Sequence, residues 1–376
     1  MPDKKITGNI GYRPTWAEVN LSNLAYNFRQ VKKAVCRSIR VMVCVKADAY
    51  GHGLIPVAKK LAACGVDYLS VASIDEAVKL RQARIELPVL VLGMILKKDI
   101  PALFRYRLIP TVCTKDMAFA LNREAGIKGR RIKIHVKVDT GMGRIGMLHK
   151  DVLEFVKGIS RLKFVGMEGI FTHLACADTD KGFTCYQIGL FNRLKEQLDK
   201  LGINIPLAHA ANSLGIAGYP NSHFNMVRPG LAIYGLRPKE GFGIDLKPVL
   251  SLKTRVVYFK RVPAGYGISY GHTYITGKET TIVTLPIGYG DGYPRNLSNK
   301  APVLIGGRRF KISGRVCMDQ IMVDVGNYPA KTGELAVLIG EQGKEKITAE
   351  ELAGLSDTIP YEIVCGLGSR VPRLYI

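Results

Sequence analysis

Over roughly its first 230 residues this chain alternates short β-branched runs with stretches of helical apolar spacing, and that rhythm limits the fold more than any other feature. The runs are Val41–Lys46, Tyr68–Ala72, Val89–Leu92, Ile109–Val112, Ile132–Val138, Phe164–Ile170, Leu207–Ala210 and Asn225–Val227. Helix-like stretches precede or separate them: Ser22–Val35, Leu54–Cys64, Ile74–Ala83, Thr114–Ala125, Lys150–Lys157, Cys185–Leu201 and Ser213–Ala217. Turn residues such as Gly65, Gly126 and Gly202 punctuate them. Strands that alternate with helices pair in parallel. Their number predicts an N-terminal (β/α)8 TIM-type barrel, an α/β fold that usually takes about 250 residues. The rival is an open doubly wound sheet, which would place a glycine-rich dinucleotide fingerprint after an early strand. None follows the early strands here.

The texture changes at Arg237–Pro248, which reads as a linker. Beyond it come strand-like runs at Leu250–Phe259, Thr280–Pro286, Pro302–Ile305, Phe310–Ile312, Met322–Val325 and Glu334–Ile339, with one short helix at Thr348–Leu355. The expected organisation is a polar tail over 1–13, a barrel over 14–245 and a mostly β C-terminal domain over 246–376. Thr15–Leu21 (TWAEVNL) alternates like a strand with no barrel role, and joining the β domain would give it one.

The hydrophobic fraction of 47% can bury a sizeable core. Met1–Tyr12 contains no apolar stretch of the kind that directs export, so a cytoplasmic location is expected. The longest apolar run, Leu87–Leu96, falls short of the about 20 residues needed to span a bilayer. Eight cysteines form no CxxC pair, and no Cys/His spacing suggests a metal. The net charge of +23 is scattered, with no run beyond two basic residues and a single Trp. That pattern fits a solvated surface rather than a nucleic-acid groove.

Barrel active sites form at the C-terminal ends of the strands. Lys46 ends the first run and is followed by Tyr50 in a glycine-rich loop. Its ordinary reading is a snorkelling surface lysine; its chemical reading is a Schiff-base amine activated by desolvation. The fifth run alternates Lys133, His135, Lys137 and Asp139, and the glycines that follow would carry Arg144 over the barrel mouth. An arginine there suits a carboxylate by paired hydrogen bonds. His173 ends the sixth run, and His209 and Ser213 follow the seventh. Ser213 is a candidate helix N-cap and, with Gly230 and Leu231 after the eighth run, a candidate phosphate contact. Arg228 precedes that pair. In the second domain, GYGISYGHTY reads as a hairpin with exposed tyrosines, and GRVCMDQIMVDV as a strand with a polar bulge.

In order along the chain, VKADAYGHG, KVDTGMGRIG, FTHLA, HAANS, RPGLAIYG, SYGHTY, IGYGDGYPR, GRVCMDQ and YEIVCGLGSRVPR resemble the motifs of the alanine racemases, pyridoxal 5′-phosphate (PLP) enzymes of fold type III. The resemblance spans nearly the whole chain. It implies a PLP barrel, a β domain and a head-to-tail homodimer that interconverts L- and D-alanine for peptidoglycan. Lys46 matches the family's PLP-binding lysine and Tyr270 its catalytic tyrosine, contributed from the partner subunit. Arg144 and Met318 match positions that contact the substrate carboxylate, and Tyr289 a tyrosine at the entrance. Arg228 matches the arginine facing the pyridine nitrogen, His173 the histidine near the ring, and His209 the histidine bonded to that arginine. Tyr50, Ser213, Gly230, Leu231 and Tyr361 match phosphate-site positions. Lys137 matches a lysine that some members carry as a carbamate. Serine racemases share many of these motifs, so a serine or broad-specificity racemase is an alternative, as is a non-catalytic PLP-binding barrel. The resemblance implies neither a nucleic-acid nor a membrane partner.

Overall fold

A computed structural model describes residues 11–237 and 241–376. Most of the expected polar tail and residues 238–240 of the expected linker lie outside the described residues.

Eight parallel strands follow one another around the first domain: Arg40–Cys44, Tyr68–Val71, Val89–Val91, Ile109–Val112, Ile132–Asp139, Val165–Phe171, Leu207–His209 and Met226–Val227. The eighth pairs back onto the first, so the sheet curls into the expected barrel. Most of the strand residues are buried, as expected where helices cover the outside and side chains fill the inside. The ring lacks a strand ladder between Leu207–His209 and Met226–Val227. Arg228 bridges that seam instead. Its backbone N–H donates to Ala211 O at 2.9 Å, and its guanidinium donates to His209 O at 2.9 Å. Among the described residues no long helix follows the eighth strand within the barrel. Helix Leu21–Lys33, which precedes the first strand, covers this place, pinned by fully buried Asn27 to the carbonyls of Ile233 and Lys247.

The second domain is built on a ten-stranded sheet that includes the strand Thr15–Val19. This strand pairs antiparallel with Leu250–Arg255 and parallel with Arg373–Tyr375. The run expected as one strand over Leu250–Phe259 breaks after Arg255, and Tyr258–Val262 pairs with Thr280–Leu285 instead. Two short helices, Ile100–Arg105 and Pro360–Cys365, were not expected from the sequence. Each is six residues long, with a proline at its first or second position, and is too short to show a helical period. Among the described residues no helix is long and apolar enough to cross a membrane.

Candidate active site

Lys46 stands just beyond the first strand, and the chain that follows does what L-residues rarely do. Ala47, Asp48, Ala49 and Tyr50 all take left-handed φ values of 53–55°. Such residues normally occur singly, because each costs about 1–2 kcal/mol. Here several partners hold the turn. Glu76 accepts from the Ala47 N–H at 2.6 Å and from Ala72 N–H at 2.7 Å. Asp48 accepts from Leu54 N–H at 2.7 Å. The buried His52 ring donates from Nδ1 to the carbonyls of Tyr50 (2.8 Å) and Ala49 (3.1 Å). Runs of polar and small residues such as KADAY carry no signal for this conformation, so the sequence showed only a tight loop.

Behind the turn lies a pocket of about 420 Å³, a size suited to a small cofactor. Lys46, Lys137, Arg144, His173 and Arg228 line it together with Tyr50, Ser213, Gly230, Leu231 and Tyr361. Ser213 is not the helix cap expected from its type. Asn212 caps the helix Ser213–Gly218 by accepting from Gly215 N–H at 2.9 Å, because it stands one residue earlier in extended backbone. That frees Ser213 Oγ to accept from the N–H groups of Gly230 and Ala232, both at 3.2 Å. Its own hydroxyl proton is left to donate elsewhere. Gly230 has no room for a side chain, since a Cβ would lie 2.6 Å from the Tyr50 hydroxyl.

Arg228 is fully buried at the pocket floor, and burial lowers its pKa to about 10, still charged near neutrality. Its guanidinium donates to His209 Nδ1 at 2.7 Å and to Thr172 O at 2.7 Å, and lies 3.4 Å from His173 Nδ1. His209 does not line the pocket; it supports the arginine from below. Burial, then the charge of Arg228, pushes both His173 and His209 well below the usual imidazole range. Lys137 is pushed down too, first by burial and then by Arg228 and Arg144. Its ammonium sits 4.6 Å from the Phe171 ring centroid.

Arg144 rides a loop whose Gly141, Gly143 and Gly146 all have positive φ. Asp139 gathers the N–H groups of residues 141–143. The segment has GxGxxG spacing, but no helix follows directly; Met147–Leu148 returns to pair with Val138–Asp139.

Tyr270, Met318 and Tyr289 lie elsewhere, on the second domain. Tyr270 sits at the tip of the hairpin joining Gly267–Ile268 to Tyr274–Ile275 and is 71% exposed. Tyr270 and Met318 line a shared surface hollow. Tyr289 is bound to the same loop, its N–H donating to Cys317 O at 3.0 Å. Buried Asp291, in bidentate contact with Arg13, braces this loop from behind and was not singled out in the sequence.

Residues 19–238 match the family model "Alanine racemase, N-terminal domain" and residues 249–375 match "Alanine racemase, C-terminal domain". The chain belongs to the alanine racemase family. It is 50% identical to the alanine racemase of Halothermothrix orenii, over 99% of this chain and 98% of that protein. It is 46% identical to that of Carboxydothermus hydrogenoformans, over 97% of this chain and all of that one. The structure of the Clostridium difficile 630 alanine racemase superposes with a TM-score of 0.92 at 38% identity, covering 97% of this chain and 96% of that one. An alanine racemase barrel and a mostly β domain are therefore the frame in which these side chains are arranged.

Proposed function

We propose that this chain is a cytoplasmic, PLP-dependent racemase that interconverts L- and D-alanine, with Lys46 and Tyr270 as its two proton-handling groups. The observation that carries this reading is one pocket lined by a lysine at a strand tip, a buried arginine and a set of hydroxyls. That donor set fits PLP. Ser213, Tyr50 and Tyr361 offer hydroxyls to the phosphate, with backbone N–H from Leu231 and, shared with Ser213, Gly230. Lys46 would hold the aldehyde end, and His173 would stand near the ring.

When bound, PLP supplies an electron sink for the charge left on the substrate Cα. Arg228 keeps its protons and so would leave the ring nitrogen without one, which would limit that sink and disfavour side reactions. Arg144 and Met318 hold the substrate carboxylate, and Tyr289 borders the way in. Racemisation needs a proton removed from one face and one returned to the other. Lys46 serves one face and the partner subunit's Tyr270 serves the opposite face. Lys137, buried beside two arginines, is more stable as a carbamate: its neutral amine adds to CO2 and releases a proton, replacing a third cation with an anion.

Tyr270 does not line its own chain's Lys46 pocket, which supports a head-to-tail homodimer with each site shared. Lys46→Ala and Tyr270→Phe proteins should each be inactive. Mixed with subunit exchange, they should recover about a quarter of the wild-type sites, because half the dimers carry one intact site of two. Recovery of nothing, with both proteins folded, refutes the shared site; wild-type protein that shows no exchange of the alanine Cα hydrogen in D2O refutes the activity.

A further inference from the structure

Beneath the pocket, six barrel strands close the interior with one apolar cluster of Met42, Tyr68, Leu90, Ile109, Leu207 and Met226. The two remaining strands contribute something different. His135 and Glu168 meet beside Tyr68, with the His135 Nε2 3.5 Å from Glu168 Oε2. Both atoms are buried and neither forms a hydrogen bond among the described residues, so their 3.5 Å approach is an ion-pair contact. Neither residue has a role in the reading above.

The backbone is shaped for this pair. Opposite Ile134–His135 the register jumps from Met167 to Gly169, leaving Glu168 as the extra residue of a β-bulge. Bulges re-aim side chains, and this one turns the carboxylate towards His135. Gly169 then makes the space, since a Cβ there would lie 2.5 Å from the His135 ring. On its other side, His135 Nδ1 is 2.8 Å from His209 Nε2.

The direction of this line is fixed by its first member. A guanidinium only donates, so His209 Nδ1, 2.7 Å from Arg228, accepts. The neutral His209 ring then carries its proton on Nε2 and donates it to His135 Nδ1. His135 in turn carries its proton on Nε2, aimed at a carboxylate that only accepts. Burial keeps both rings neutral. Although burial opposes it, the neighbouring His135 ring and the Lys133 ammonium hold the Glu168 carboxyl down at about 2.

We propose that His135 and Glu168 are positioning residues for Arg228: the bulged carboxylate anchors a one-way line of N–H donors that fixes His209 as the acceptor for the guanidinium and so sets its orientation and charge at the pocket floor. The inference rests on the reading that Arg228 faces the PLP ring, so its first test does not involve PLP chemistry.

Full-length protein labelled with ¹⁵N-histidine, as isolated, should show His209 and His135 each protonated at Nε2 and bare at Nδ1. A ring protonated at Nδ1, or at both nitrogens, overturns the line. Glu168→Leu should lower kcat in both directions by about tenfold with little change in KM, the size expected when a charged hydrogen-bond partner is lost. It should also shift the visible absorption of bound PLP. Glu168→Gln, which keeps an acceptor oxygen, should restore most of both. A Glu168→Leu protein with unchanged kcat and spectrum overturns the positioning role; if it does not fold, the spectrum of the unsubstituted protein decides alone. Failure of PLP to attach at Lys46 would instead refute the proposed function and leave the tautomer result standing.

Discussion

Replacing His52 by asparagine should flatten the loss of stability on acidification. His52 is fully buried, its Nδ1–H shared between the carbonyls of Tyr50 and Ala49, and burial lowers its pKa from 6.5 to about 4. In the unfolded chain it takes up a proton below about pH 6.5, whereas in the folded protein it resists until about pH 4. Across that window the unfolded state binds more protons, so the stabilisation is complete above pH 6.5 and is lost as pH falls. Each pH unit of displacement is worth about 1.4 kcal/mol. The loss attributable to this one ring is about 2 kcal/mol by about pH 5 and about 3 kcal/mol by about pH 4. Asparagine places an amide N–H near the position of Nδ1 and does not titrate. It forfeits the ring's contact with Tyr234, so the variant starts less stable; the slope with pH is the quantity to read. His135, His173 and His209 are also held below their usual range and add a loss of the same sign, common to both proteins. Urea unfolding of both proteins between about pH 7.5 and about pH 5 should show the wild type losing about 2 kcal/mol more. Equal losses in the two proteins would refute the assignment of that proton uptake to His52.

Gly230→Ala should fold, as followed by circular dichroism, but release PLP on dialysis about tenfold more readily, because the new methyl meets the Tyr50 hydroxyl at 2.6 Å and Tyr50 is backed by the stacked Tyr234 ring. Retention equal to wild type would contradict the close cradle. Glu76→Ala should cost about 1 kcal/mol in urea unfolding, since it removes the charged acceptor shared by the solvent-accessible N–H groups of Ala47 and Ala72, and should slow borohydride trapping of PLP at Lys46. Glu76→Gln, with one acceptor left, should fall between.

The barrel was legible because parallel strands covered on both faces leave unmistakable apolar runs, and the convergence of their ends explains why Lys46, Arg144, His173, Ser213 and Arg228 meet in one pocket. What escaped notice depends on geometry that residue type does not encode. Asn212 and Ser213 are both good caps by type, and only the backbone decides which one serves. The Glu168 bulge breaks the alternation that would have assigned that side chain a face. Short proline-led helices such as Pro360–Cys365 offer too few residues for a period. The roles proposed for Tyr270 and Met318 rest on resemblance alone, because within one chain they form an exposed hollow apart from the lysine.

The left-handed turn after Lys46 shows what the second domain contributes within its own chain. Four such residues cost about 4–8 kcal/mol together, and the second domain adds to the barrel partners that hold them. Arg373 Nε donates to Gly51 O at 3.0 Å. A Cβ on Gly51 would lie 2.2 Å from Val364 O, and one on Gly53 would lie 1.9 Å from the Tyr375 hydroxyl, so both glycines are pressed directly against the C-terminal domain. With Glu76 and Asp48, charged partners worth about 1.5–3 kcal/mol each, these contacts are of the size needed to offset the strain. The same domain that presents Tyr270 outward therefore clamps the backbone that aims Lys46 inward. A link between the two follows: any shift of the β domain on the barrel would move both the turn that carries Lys46 and the hairpin that carries Tyr270.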